Sequence, residues 1–129
     1  AIRSAMSVGI QVGALSGRSS PPLERRLEDL GFQAVMLGRS DKDVALEEFQ
    51  ERHSVQTDEI AFMGDDLPDL LVVPHVGLAF APSDAAPEVR ERVHRVVNAR
   101  GGEGAVREMI EIVLKSRGDW ESIVERYIR

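Results

Sequence analysis

The sequence predicts an α/β domain: a parallel sheet with helices on both faces. Three observations carry that expectation. Short apolar runs bounded by turn residues recur along the chain and read as buried strands. Between them lie segments with apolar residues at helical spacing and capping or breaking residues at their ends. The connections are short, and strands alternating with helices over short loops build parallel sheets through right-handed crossovers. No internal repeat, low-complexity segment or long linker interrupts residues 1–129, so a single domain is expected.

Taken in order, Ile2, Ala5, Met6 and Gly9 follow helical spacing, with no capping residue ahead of them. Ile10 to Leu15 reads as the first strand. Ser20 caps the next helix, with Pro21 and Pro22 in its first turn, Leu23, Leu27 and Leu30 on its apolar face, and Gly31 at its end. Ala34 to Leu37 is a second strand, and Asp41 is placed to cap a helix carrying Val44, Ala45 and Phe49 that ends near His53. A third strand leads to Met63, a short helix runs from Pro68 to Val73, and a fourth strand spans Val76 to Phe80. Pro87 opens a helix reaching Val93, and Val96-Val97 is an edge strand. Val106, Met109, Ile110, Val113 and Leu114 mark an amphipathic helix, followed by a last one with Trp120, Ile123, Val124, Tyr127 and Ile128.

Composition removes several function classes. A formal charge of −6 argues against a nucleic-acid footprint or a polybasic membrane surface. The sequence has no cysteine, which excludes thiolate nucleophiles, disulfides and Cys-ligated zinc. No apolar stretch approaches a membrane span and no secretory pattern is present, so a cytoplasmic setting is expected.

Chemistry concentrates in three places. In Ile60–Asp69 an apolar run stops at Gly64, and Asp65, Asp66 and Asp69 follow within five residues. They project from the carboxyl end of a strand, where open α/β sheets place their ligands. Clustered carboxylates repel one another unless a cation or basic group offsets them. Oxygen ligands suit Mg²⁺, which takes one or two carboxylates and keeps several waters; a solvated acidic turn with Asp66 as helix cap is the alternative. Ser16 and Gly17 stand where a strand gives way to a helix, which suits an anion, and Arg18 adds a planar fork for phosphate or carboxylate. An ordinary turn fits the same residues. Lys42 opens a helix, where the dipole disfavours a cation unless an anion or carboxylate shares the site. Gly101-Gly102-Glu103-Gly104 either approaches a ligand or caps the next helix, and Asp84 is a lip residue or a cap. His53, His75 and His94 lack metal-ligand spacing. Hydroxyl, lysine and carboxylate cluster together describe phosphate held beside magnesium, the setting of phosphoryl transfer.

On these residues the sequence resembles the haloacid-dehalogenase-like (HAD) superfamily, and within it the 3-deoxy-D-manno-octulosonate (KDO) 8-phosphate phosphatase family. The matching stretches are LSGRSS at Leu15–Ser20, DKDVALEE at Asp41–Glu48 and MGDDLPDL at Met63–Leu70. VGLAFAPSDAAPEV at Val76–Val89 and GGEGAVREMIEIVL at Gly101–Leu114 continue it in collinear order. The resemblance implies a HAD-like fold without a cap domain. It assigns Ser16 to the transferring phosphoryl group, Lys42 to neutralising phosphate and nucleophile, and Asp65 to Mg²⁺. Asp66 reaches the metal through water or a hydrogen bond to a ligand, with Asp69 an acidic neighbour. Gly17, Arg18 and Gly102 fall to phosphate or substrate. An acidic sugar phosphate, most simply KDO 8-phosphate, is the implied substrate, and a homotetramer the implied assembly.

One family feature has no counterpart here. The family's first motif is Asp-x-Asp, whose first carboxylate becomes phosphorylated and whose second moves protons; nothing before Ser16 carries a carboxylate. The strand bearing that motif would lie between those ending at Ser16 and Asp65, and a sheet without it leaves backbone groups unpaired or rearranges. The expectation is therefore an N-terminally incomplete domain whose natural chain has a further segment upstream. Two alternatives stay open. One is a phosphatase for a related nonulosonate phosphate. The other is an inert HAD-like assembly module of the kind attached to sialic-acid cytidylyltransferases.

Overall fold

The opening residues do form a helix, α1 (Ile2–Ser7), whose Ala1 cap position carries no side-chain cap. The computed structural model describes every residue except Arg18, Gln33 and Arg129. Strand β1 (Gly13–Leu15) is shorter than the apolar run suggested. Helix α2 (Pro21–Asp29) starts on Ser20, whose hydroxyl accepts from the Leu23 N–H at 3.3 Å. Strand β2 (Ala34–Met36) and helix α3 (Lys42–His53) follow. Asp41 stands at the α3 cap position but makes no capping bond, because Arg39 takes its carboxylate. Val44, expected on the apolar face, is exposed; Ala45 and Leu46 are the buried residues.

After β3 (Ala61–Met63) the expected helix is two 3-10 turns, Leu67–Leu71 and Val73–His75. Strand β4 (Leu78–Ala81), the short helix α4 (Pro87–Arg90) and strand β5 (Arg95–Val96) come next. Helices α5 (Ala105–Arg117) and α6 (Trp120–Ile128) close the chain. Val106, in the first turn of α5, points away from the buried stripe of Ala105, Ile110 and Leu114.

All pairings are parallel, but the strands divide into two sheets, β1-β2 and β3-β4-β5. The single sheet expected from the alternation is therefore split. Among the described residues, β1 and β3 each keep one edge without a strand partner. Side chains join what the backbone does not: Leu15 of β1 and Phe62 of β3 pack on one cluster with Leu46, Val72 and Ala79.

Period-two alternation places successive β4 side chains on opposite faces. Leu78 and Phe80 pack toward Met109 and Val113 of α5. Ala79 packs with Leu46 of α3 and the turn residues Val72 and Val73, and Ala81 with Val89 of α4. Helical elements thus cover both faces of the three-stranded sheet. A fourth cluster, Ala5, Ile110, Leu114 and Ile123, binds α1 to α5 and α6. Burying such aliphatic side chains contributes about 1.5–3 kcal/mol each before entropy is counted.

Candidate active site at the ends of two sheets

The site forms after β3. Gly64 donates its N–H to the Phe80 carbonyl at 3.1 Å, continuing the ladder, and the chain then turns away. A Cβ at Gly64 would lie 2.5 Å from the Asp69 Cβ and 2.8 Å from the Phe62 ring. Only glycine leaves room for Asp69 to fold back under the turn. There the Asp69 Oδ2 accepts from the Asp65 N–H at 2.8 Å and the Asp66 N–H at 3.2 Å. Asp66 caps the 3-10 turn, accepting from the Leu67 N–H at 2.8 Å. Asp66 and Asp69 thus satisfy each other's neighbouring backbone donors, a reciprocal capping box.

The other Asp69 oxygen meets the lysine. Lys42 Nζ donates to Oδ1 at 2.6 Å, with the two side chains 12% and 8% exposed. Lys42 follows β2 and Asp69 follows β3, so this ion pair ties the carboxyl ends of the two sheets. It also supplies the carboxylate that a lysine in the first turn of a helix requires. The sequence reading treats Asp69 as a mere acidic neighbour; it is the buried anchor of the cluster. The D-x-x-D spacing of a capping box was the available signal.

Asp65 is different. Its side chain belongs to an exposed residue, yet its carboxyl is pushed above the ordinary value, by partial desolvation first and then by the charges of Asp69 and Asp66. A cation is the group that would relieve it. Among the described residues no three His, Asp or Glu side chains converge to hold a metal. The chain therefore offers Asp65, with Asp66 beside it, as a partial oxygen donor set, and that fits an ion which keeps several waters.

Ser16 stands just past β1. Its N–H donates to the Met36 carbonyl at 2.9 Å, and its own carbonyl accepts from the Arg39 N–H at 3.1 Å. Gly17 faces that same loop, 3.7 Å from the Arg39 carbonyl by its would-be Cβ. Ser16 is thereby linked through residues 37–41 to the start of α3 and Lys42. Arg18 lies outside the described residues. Gly102 sits in the turn before α5 with φ +77°, apart from the Lys42–Asp69 hydrogen bonds. The loop around it is fastened from two sides: Asp84 Oδ1 accepts from the Gly101 N–H at 2.8 Å, and Glu108 accepts from Asn98 and Ala99 at 2.8 and 3.0 Å. The Gly101 N–H and the Arg100 guanidinium hold the Asp84 carboxyl below its ordinary value.

The fold that carries this site recurs in solved structures. Over 99% of its length the chain superposes, at a TM-score of 0.97, on 73% of a probable YrbI-family phosphatase from Pseudomonas syringae that is 38% identical. Over 92% it superposes, at 0.90 and 38% identity, on 70% of the cobalt-bound KDO 8-phosphate phosphatase (YrbI) of Haemophilus influenzae. The chain belongs to the KDO 8-phosphate phosphatase family of the HAD superfamily. A third member of the family, the KDO 8-phosphate phosphatase of Moraxella catarrhalis in complex with magnesium, phosphate and KDO, is 28% identical with a TM-score of 0.94, over 98% of this chain and 72% of that one. The curated KdsC phosphatase of H. influenzae is 38% identical over 117 residues, 91% of this chain and 65% of that protein. The chain thus spans a little under two thirds of the curated relatives it matches. No protein-family model matches it. The HAD-like α/β class and the family resemblance drawn from the sequence both stand.

Proposed function

We propose that the whole protein is a Mg²⁺-dependent phosphatase that hydrolyses KDO 8-phosphate to KDO and phosphate. The observation that carries this reading is the Lys42–Asp69 pair set beside the electrostatically crowded Asp65, in a family whose Moraxella member was crystallised with magnesium, phosphate and KDO. Lys42 neutralises phosphate charge, Ser16 donates its hydroxyl to a phosphoryl oxygen, and Asp65 is one carboxylate ligand of the metal, with Asp66 acting through water. The family resemblance assigns substrate contact to Gly17, Arg18 and Gly102. Bound Mg²⁺ supplies charge neutralisation on the transferring phosphoryl group.

On this reading the covalent step needs an Asp-x-Asp pair of the kind the family carries, and a strand bearing one would fit the open edges of β1 and β3. Its first carboxylate attacks phosphorus as the sugar oxygen leaves with a proton from the second; water then cleaves the aspartyl-phosphate. A homotetramer in the cytoplasm completes the reading.

The test is phosphate release from KDO 8-phosphate by the full-length protein, with Mg²⁺ and with chelator. Chelator-sensitive turnover abolished by Asp65→Asn and Lys42→Met is expected. A full-length protein with no turnover would instead be an inert assembly module.

A further inference from the structure

Away from the Lys42 cluster, the charged group Arg39 is heavily engaged. Its guanidinium grips two carboxylates at once. Nε and Nη2 donate to Asp41 at 2.8 and 2.9 Å, while Nη1 and Nη2 donate to Glu48 at 2.8 and 3.2 Å. Its backbone N–H holds the Ser16 carbonyl. One residue therefore touches the end of β1 through its main chain, and both the first residue before α3 and the second turn of α3 through its side chain.

Exposure limits what this arrangement adds to stability. The three side chains are 29%, 49% and 44% exposed, so water screens the pairs, and only their bidentate, networked geometry lets them contribute to folding. The Asp41 carboxylate is also drawn off the α3 N–H groups that it would otherwise cap. What the double fork does provide is direction: paired, coplanar hydrogen bonds fix angle as well as distance. Lys42 is the residue immediately after Asp41, and its ammonium must be held toward Asp69 and the phosphate site.

We infer that Arg39 is a positioning residue: its fork on Asp41 and Glu48 sets the start of α3, and so Lys42, relative to Ser16. This rests on the phosphatase reading. Misplacing a phosphate-binding group by an ångström is felt in the transition state, where a loss on the order of 100-fold can follow. Arg39 touches no reacting atom and acts only through Lys42 and Ser16.

The experiment uses the full-length protein and KDO 8-phosphate, comparing wild type, Arg39→Lys, Glu48→Gln and the double variant. Lysine keeps the charge and loses the fork. Expected is a fall in kcat of about 10-fold or more in each single variant, with KM changed by less than about threefold. The double variant should be no worse than Arg39→Lys alone, since both remove one clamp. A kcat within twofold of wild type in folded Arg39→Lys, whatever its Tm, overturns the inference. If that variant does not fold, Glu48→Gln decides by the same criterion. Loss of the folded state in both assigns the clamp to stability and overturns it too. An inactive wild type overturns the phosphatase reading itself, a distinct outcome.

Discussion

The Lys42 ammonium and the Asp69 carboxylate, 2.6 Å apart, join the carboxyl ends of two sheets that, among the described residues, share no backbone ladder. Both side chains are largely buried, and Asp69 also accepts two backbone N–H groups. Removing the carboxylate strands a buried ammonium and two donors at once.

Asp69→Ala is therefore expected to destabilise the domain by about 3–5 kcal/mol, the cost of leaving a buried charge without its partner. Lys42→Met should cost less, because Asp69 keeps its two N–H donors. Urea unfolding of the two variants gives the order directly; equal losses would contradict it.

Gly64→Ala places a methyl group 2.5 Å from the Asp69 Cβ. Relief requires the 3-10 turn to move, for about 1–3 kcal/mol. Denaturation should show that loss, and Mg²⁺ titration a weakened site, because the turn adjoins Asp65 and Asp66, the proposed metal ligands.

Asp65 sets a pH dependence. Its folded-state value lies above the ordinary carboxylate value, so the folded state holds this proton more tightly than the unfolded chain. Stability from this group is thus lost as pH rises from the ordinary value through the raised one. Two outcomes follow. Asp65→Asn should raise the Tm of the metal-free protein at neutral pH. If Asp65 holds the metal as proposed, Mg²⁺ binding, followed by calorimetry, should begin to weaken on acidification at a higher pH than for an ordinary aspartate, because proton and metal compete.

His94 supports the sheet rather than the site. Its Nδ1 accepts from the N–H of Ala79 at 2.8 Å, and Ala79 is fully buried. His94→Leu leaves that donor unsatisfied and should cost about 1–3 kcal/mol in urea unfolding. Phosphatase kcat of the folded full-length variant should not change.

Much of this was legible in the residues, for reasons that differ by position. Ser20 followed by Pro21-Pro22 admits one reading, and the structure has a helix starting there with its cap bond formed. Gly64 followed by carboxylates marked the end of a strand at the edge of a crevice. Asp41 read as a cap because Asp caps helices, and the reading missed Arg39, two residues earlier, as a competitor for the same oxygens. Val44 and Val106 read as core by spacing, but first-turn positions lie ahead of the buried stripe. Asp69 was the largest gap: three aspartates look alike in a sequence, and only the fold shows which one turns inward beneath Gly64.

The division of the strands has a cost of its own. Two sheets present four outer edges where one continuous sheet would present two. Unpaired strand edges are templates for any extended chain, the origin of domain swapping and strand-mediated aggregation. Neither Gly13–Leu15 nor Ala61–Met63 contains a proline, a lysine or any other charge to discourage such pairing. Concentrated solutions of residues 1–129 alone should therefore self-associate through these two segments, and any strand that fills those edges would act as a solubiliser.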